Sequence, residues 1–314
     1  MQKALLFTVI ALLAVGLRLA ARAPGGAPGT PAASTGAAAH PTGSVAVQEN
    51  VSYAVRNGQP LLLDVYQPAG SAAHPRPAIV LIHGGGWTSF DKSTMRGMAN
   101  VLARSGFAAF SVDYRLFQGT ENRWPAQLDD VQLAVRWVRA NASKYAVNPG
   151  RIGAFGHSAG GQLAALLGVE ETRDNSHPSL AQYSSRVQAV VDVSGPTDFT
   201  TQRDAYGDAF LANFFGTFCR NGGTATPGCA IWRDASPVFH VSKASAPFLI
   251  VHGTQDDQVP IAQSEELLDR LRQAGVPAAL VKVDDGHTFR TPEARMRLAM
   301  ETVAFFNRQL VLSP

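Results

Sequence analysis

Cysteine is nearly missing from this chain: 314 residues hold only Cys219 and Cys229. Charge is also sparse, at 16% of residues with a net of +3 and no basic run beyond scattered pairs. That balance gives nucleic acid or an anionic membrane surface nothing to bind, and neither is expected as a partner. Long apolar runs are absent too. The longest, 4–17, has Thr8 as its only polar member and ends at Arg18. It is shorter than the ~20 residues a membrane-spanning helix needs. No cysteine lies near it, which leaves no residue for a lipoprotein anchor. No internal repeat is present, and no pattern calls for a metal or an organic cofactor.

What stands at the N-terminus reads as an export signal. Lys3 supplies the positive region, the run 4–17 the apolar one, and Ala21-Arg22-Ala23 a small-x-small site followed by Pro24. Residues 1–23 are therefore expected to be a signal peptide, with a cleavage site the residues do not pin down, and the protein to be secreted or periplasmic. Residues 24–44 are rich in Ala, Gly, Pro, Ser and Thr without a large apolar side chain, as in a linker that cannot bury enough surface to order itself. The folded domain is expected over 45–314. In an exported chain, Cys219 and Cys229 in a Gly- and Thr-rich stretch read as a disulfide closing a small loop.

Within the domain, 47–56 and 60–67 read as two strands joined by Asn57-Gly58, a favoured hairpin turn. Apolar runs then follow at 78–82, 107–112, 151–155, 187–193, 247–251 and 278–283, each with the continuous character of a strand buried on both faces. Helical patterns alternate with them at 93–104, 125–145, 159–169, 261–274 and 292–312. Alternation of this kind predicts an α/β fold, a doubly wound and mostly parallel sheet with the hairpin as its antiparallel edge. Residues 196–237 break the rhythm with Gly, Phe and both cysteines but no clear strand. A departure of that length is expected to be a lid or cap above a site.

The richest stretch is Arg151-Ile152-Gly153-Ala154-Phe155-Gly156-His157-Ser158-Ala159-Gly160-Gly161. It is a strand, then G-x-S-x-G, then a helix, the context in which the pentapeptide acts as a nucleophile elbow. A turn sharp enough to strain Ser158 leaves no room for side chains at Gly156 and Gly160. The serine would sit at a helix N-terminus, where negative charge is favoured.

A serine hydroxyl needs a base to take its proton and a carboxylate to hold that base. In this fold they follow in the order Ser, acid, His, just after strands. Of eight histidines, His287 alone has the right order and loop, in Asp284-Asp285-Gly286-His287. His157 lies inside the elbow, where its ring packs, hydrogen-bonds or meets substrate. The acid lies in His252-Gly253-Thr254-Gln255-Asp256-Asp257-Gln258-Val259-Pro260, and the loop alone does not separate Asp256 from Asp257. His83-Gly84-Gly85-Gly86-Trp87 directly follows the strand 78–82. Its glycines let backbone N–H groups reach a substrate oxygen, so Gly84 and Gly85 with Ala159 are the expected oxyanion donors. Trp87 and the aromatics Phe199, Tyr206, Phe210, Phe214 and Phe215 are candidates for a substrate pocket, with packing an equal account of the latter. Asp113-Tyr114-Arg115-Leu116 reads as a buried carboxylate beside its arginine, and Asp129 and Asp130 as solvated or structural.

Taken together, HGGGW, DYRL, GHSAGG, HGTQDDQVP and GH resemble the α/β-hydrolase carboxylesterases, from about residue 51 to 306. The chain is most similar to bacterial esterases near the hormone-sensitive-lipase and feruloyl-esterase-like groups. The resemblance implies that the acid is the Asp of HG-x-x-D-x-x-V-P, which selects Asp256. Hormone-sensitive-lipase relatives commonly carry Asp before the nucleophile, where this chain has His157. That departure points to the feruloyl- or acetyl-esterase side and away from long-chain lipases. The expected activity is hydrolysis of small acyl esters, acetyl or feruloyl esters of carbohydrate among them. An amidase or formamidase on the same triad, or a non-catalytic binding protein on the same scaffold, are the alternatives. No propeller-length N-terminal region suggests an oligopeptidase.

Overall fold

The computed structural model describes residues 43–70, 72–201, 207–219 and 227–312. The expected signal peptide and nearly all of the expected linker lie outside them, as does Tyr206. The chain opens with the hairpin β1 (Val45–Arg56) and β2 (Gln59–Pro68). Asn57 and Gly58 both take positive φ, 51° and 74°, which is the twist a two-residue hairpin loop requires. There follow β3 (Arg76–Ile82), α1 (Arg96–Arg104), β4 (Ala108–Val112), α2 (Ala126–Ala140), β5 (Val147–His157) and α3 (Ala159–Val169). The second half runs β6 (Ala189–Val193), α4 (Asp208–Phe215), α5 (Ala230–Asp234), β7 (Phe248–Gly253), α6 (Ala262–Gln273), β8 (Ala278–Val283) and α7 (Pro292–Phe306).

The eight strands form one sheet in the order β1-β2-β4-β3-β5-β6-β7-β8. Pairing is antiparallel from β1 through β2 to β4 and parallel from there on. The expected α/β architecture is therefore present. Every residue of β4 and β6 is buried, and β3 is buried from its third residue on, which explains their unbroken apolar runs. One core face joins β-strand side chains to α2, α3 and α6, and the other joins them to α1 and α7. From β3 the chain steps to β4 on one side and then back to β5 on the other. Strand order thus reverses beside β3 and β5, and the crevice beyond their carboxyl ends is where such sheets bind ligands.

One buried group in this sheet is out of place. Asp192, in β6, has no exposure; Oδ1 accepts the Gly195 N–H at 3.0 Å, and Oδ2 has no partner among the described residues. Burial pushes its carboxyl up to about 6, against the pull of the nearby His252 and the Gly195 hydrogen bond. A raised acid favours its neutral form in the fold, so its penalty is absent below the unfolded value and grows as pH rises through about 6. Asp192→Asn should therefore raise stability in denaturant titrations at pH 7.5 by about 1–2 kcal/mol, less than the full titration penalty because the new amide also lacks an acceptor. The gain should vanish or reverse at pH 4.5; an equal gain at both pH values would contradict the assignment.

Candidate active site

The elbow forms because β5 meets α3 with no connecting residue but Ser158. Its backbone sits at φ 57°, ψ −123°, a strained conformation for a residue with a Cβ. The strain is held from both sides: Ser158 N–H donates to the Val193 carbonyl at 2.8 Å, and its own carbonyl accepts from Gly161 and Gln162. A Cβ on Gly156 would collide with the Gly160 backbone, and one on Gly160 with the carbonyls of Ile82 and His83. The turn can only close with glycine at both positions.

Ser158, His287 and Asp256 come together at the strand ends. Ser158 Oγ lies 2.8 Å from His287 Nε2, and His287 Nδ1 lies 2.7 Å from Asp256 Oδ2. A carboxylate can only accept, so Nδ1 carries the ring proton and Nε2 is free to accept from the hydroxyl. Asp256 is held in turn: its Oδ1 accepts the N–H groups of Gln258 and Val259, each at 2.9 Å. Burial would raise this carboxyl, but hydrogen bonds from His252, His287 and Val259 hold it far below the usual carboxylate range. Asp257 is exposed and makes no such contacts.

The loop bearing His287 is anchored independently. Asp285 Oδ2 accepts both the N–H and the hydroxyl of Thr291, at 2.8 Å each, and Thr291 caps α7. Those bonds and that of Gly286 bring the Asp285 carboxyl down to about 2. His157 secures the same loop from the elbow, with Nε2 2.8 Å from the His287 carbonyl. Burial first, then the charge His287 can carry, pushes its pKa down to about 4. It is neutral near pH 7, so Nε2–H donates. Its ring also lines the cavity above Ser158.

That cavity, of about 700 Å³, is lined by Gly84, Gly85 and Gly86 beside Ser158 and His287. Gly84 abuts the elbow so closely that a Cβ there would come within 2.9 Å of the His157 carbonyl and 3.2 Å of Ser158 Cβ. Gly85, at φ 106°, turns its carbonyl to accept from Thr88 and Ser89. Gly84 and Gly85 thus line the cavity that Ser158 also lines, and Ala159 opens α3 directly after the serine. The arrangement can take a proton from a hydroxyl and oppose charge on an oxygen.

Trp87 is a correction. It is a candidate for the substrate pocket on sequence, yet it is fully buried and is not among the residues lining the cavity. With φ 61° the indole turns inward, donates to Gln162 Oε1 at 3.0 Å, stacks on Phe214 at 5.0 Å and meets Phe199 edge-on. Phe199, Phe210, Phe214 and Phe215 pack around it or one another. No described residue of 196–237 lines the cavity. What that segment contains is α4, α5 and a disulfide between the expected Cys219 and Cys229, with Cα atoms 4.8 Å apart. The arginine pairing also differs. Arg115 grips the fully buried Asp130 with two side-chain bonds of 2.8 Å, while Asp113 binds the Lys92 N–H and ammonium.

Three supporting residues escaped the sequence. Tyr114 stacks on His83 with ring centres 4.3 Å apart, and its hydroxyl donates to the His83 carbonyl at 3.1 Å, fixing the glycine loop. His252 Nε2 stands 3.2 Å from Asp256 Oδ2 and 2.9 Å from the Val259 carbonyl, and its Nδ1 meets Ser264 Oγ at 2.6 Å. Gln162 binds Trp87 and the Ala235 carbonyl. A lone amide at the start of an otherwise apolar helix was its one legible sign.

The BD-FAE family model matches residues 63–271. The chain is similar to the probable carboxylic ester hydrolase LipM of Mycobacterium tuberculosis, 34% identical over 201 residues, which are 63% of this chain and 45% of that protein. A solved structure of a truncated carbohydrate esterase from gut microbiota is 30% identical with a TM-score of 0.70, over 86% of this chain and 98% of that one. Thermogutta terrifontis esterase 2 phosphoramylated by tabun is 25% identical with a TM-score of 0.71, over 84% and 95%. The chain spans about half the length of the mycobacterial relatives it matches.

Proposed function

This chain belongs to the BD-FAE family of α/β-hydrolase carboxylesterases, and from that premise we propose that it is an exported serine esterase acting on small acyl esters. The observation that carries the reading is the unbroken relay from Ser158 Oγ through His287 to Asp256, with bonds of 2.8 and 2.7 Å. His287 takes the hydroxyl proton as Ser158 attacks the ester carbonyl, and Asp256 holds the resulting imidazolium. The N–H groups of Gly84 or Gly85 and of Ala159 take the charge on the carbonyl oxygen. His287 then returns the proton to the leaving alcohol. Water, activated by the same ring, releases the acid from Ser158.

A second, polar groove of about 270 Å³ also borders His287, lined by Gln255, Asp257, Gln258, Thr288 and Arg290 among others. Hydroxyl-bearing leaving groups would find partners there, which supports acetyl or feruloyl esters of carbohydrate. Export rests on the apolar run 4–17 and is consistent with the disulfide. Among the described residues no helix is long and apolar enough to cross a membrane.

The test is steady-state hydrolysis of p-nitrophenyl acetate, butyrate and palmitate, with an aryl formamide beside them. Turnover of the two short esters, exceeding that of palmitate and the formamide, is expected. Formamide turnover without ester turnover would reverse the reading to an amidase.

A further inference from the structure

Arg295 is an unlikely residue to find where it is. It is the fourth residue of α7, at the positive end of the helix, where the dipole disfavours a cation and where Glu293 already supplies the favoured charge. Its side chain nevertheless lines the cavity above Ser158. Histidines apart, it is the only ionisable side chain among the described residues that do so. The rest of the wall is Phe90, Met95, Met98, Phe155, Phe289 and Leu298, with a few hydroxyls and one amide.

The guanidinium is held in place by one edge. Its Nε–H donates to the Phe289 carbonyl at 2.9 Å. Phe289 is 3% exposed and sits at φ 49°, a left-handed conformation that a bulky residue rarely adopts. Phe289 lies two residues beyond His287, so a strained backbone aims a carbonyl at Arg295 from the same loop that carries the base. Neither terminal nitrogen of Arg295 has an acidic partner among the described residues. A guanidinium fixed at Nε, with its Nη1/Nη2 edge facing no acidic group among the described residues, is the arrangement that binds a carboxylate by paired hydrogen bonds.

We propose that Arg295 is a specificity determinant: the apolar wall takes the carbon chain of the ester and Arg295 takes a carboxylate at its far end. The substrate class is then an ester whose half seated in this cavity is anionic, such as a monoester of a short dicarboxylic acid. This rests on Ser158 being the nucleophile of an esterase. Hydrolysis itself is unchanged: water adds across the acyl–oxygen bond, and the acid and alcohol leave.

Two charged probes separate the halves of the ester. p-Nitrophenyl hydrogen glutarate carries its carboxylate on the acyl side, and 4-(butyryloxy)benzoate on the alcohol side; p-nitrophenyl butyrate and phenyl butyrate are their neutral counterparts. For one charged probe, Arg295→Gln should lower the charged-to-neutral ratio of kcat/KM by about 10- to 100-fold, the loss of a charge-assisted hydrogen-bonded pair, mainly through KM. Arg295→Lys should recover part of that ratio, and added salt should lower it in the wild type because the site is exposed. Ratios that change less than twofold for both charged probes would overturn the proposal while leaving the esterase reading intact. Wild-type enzyme inert toward both neutral esters would overturn the esterase reading, and the proposal with it.

Discussion

Ser158→Ala should lower kcat/KM on p-nitrophenyl butyrate by about five to six orders of magnitude, to the level of uncatalysed hydrolysis plus whatever the oxyanion donors supply. The loss follows from geometry. Among the described residues, Ser158 Oγ is the only side-chain group hydrogen-bonded to His287 Nε2, at 2.8 Å. Stability should hardly change. Ser158 is 6% exposed and its side chain makes no cap to α3, while the hydrogen bonds that hold the elbow are made by its backbone. Alanine keeps the strained φ of 57° and all of those bonds. The melting temperature should stay within a few degrees, so inactivity could not be ascribed to unfolding.

Asp256→Asn should lower kcat by about four orders of magnitude, and Asp257→Asn by no more than a few-fold. Asp256 receives four donors: Gln258 and Val259 N–H at Oδ1, His287 and His252 ring N–H at Oδ2. An asparagine amide can satisfy only one side. With its NH₂ at the Oδ2 position it faces two ring N–H groups; flipped, it faces two backbone N–H groups. The first orientation takes from His287 the acceptor that fixes its tautomer, the second keeps that acceptor at the cost of the two backbone bonds, and both remove the charge that stabilises the imidazolium. The carboxylate's depressed pKa also contributes stability that is present above the unfolded value and lost as pH falls below it. Asp256 is therefore ionised throughout the working range, and the acid limb of the pH–rate profile should be unchanged in Asp257→Asn. Equal losses in the two variants would contradict the assignment.

How much of this was legible varies by element, for physical reasons. The elbow, the glycine loop and the loops bearing Asp256 and His287 each occupy a few consecutive residues after a strand, so local sequence carries them. Helix α3 was read to the residue because Ser158 and Glu170 bound a run whose only polar member is Gln162. Choosing between Asp256 and Asp257 was beyond the loop itself, because adjacent residues differ only in which way the turn aims them. The family resemblance selected Asp256, the residue that meets His287.

Trp87 was misread for a related reason. Its direction is set by a positive φ and by Gln162, 75 residues away, and neither is visible in HGGGW. The segment 196–237 has no periodicity because its described part is a local core of aromatics closed by the disulfide around Trp87. Arg115 took Asp130 rather than Asp113 because α2 brings Asp130 under it, a contact of tertiary origin. Nothing in the sequence sets Arg295 apart from the other charges of α7; the cavity beside it does.

Covalent labelling tests directly whether Ser158 is the nucleophile. Wild-type protein treated with a small organophosphate should gain a single adduct by intact-mass spectrometry, mapped by peptide analysis to Ser158, with ester turnover falling in proportion to labelling. An adduct on another residue, or full labelling of Ser158 with turnover undiminished, would contradict it.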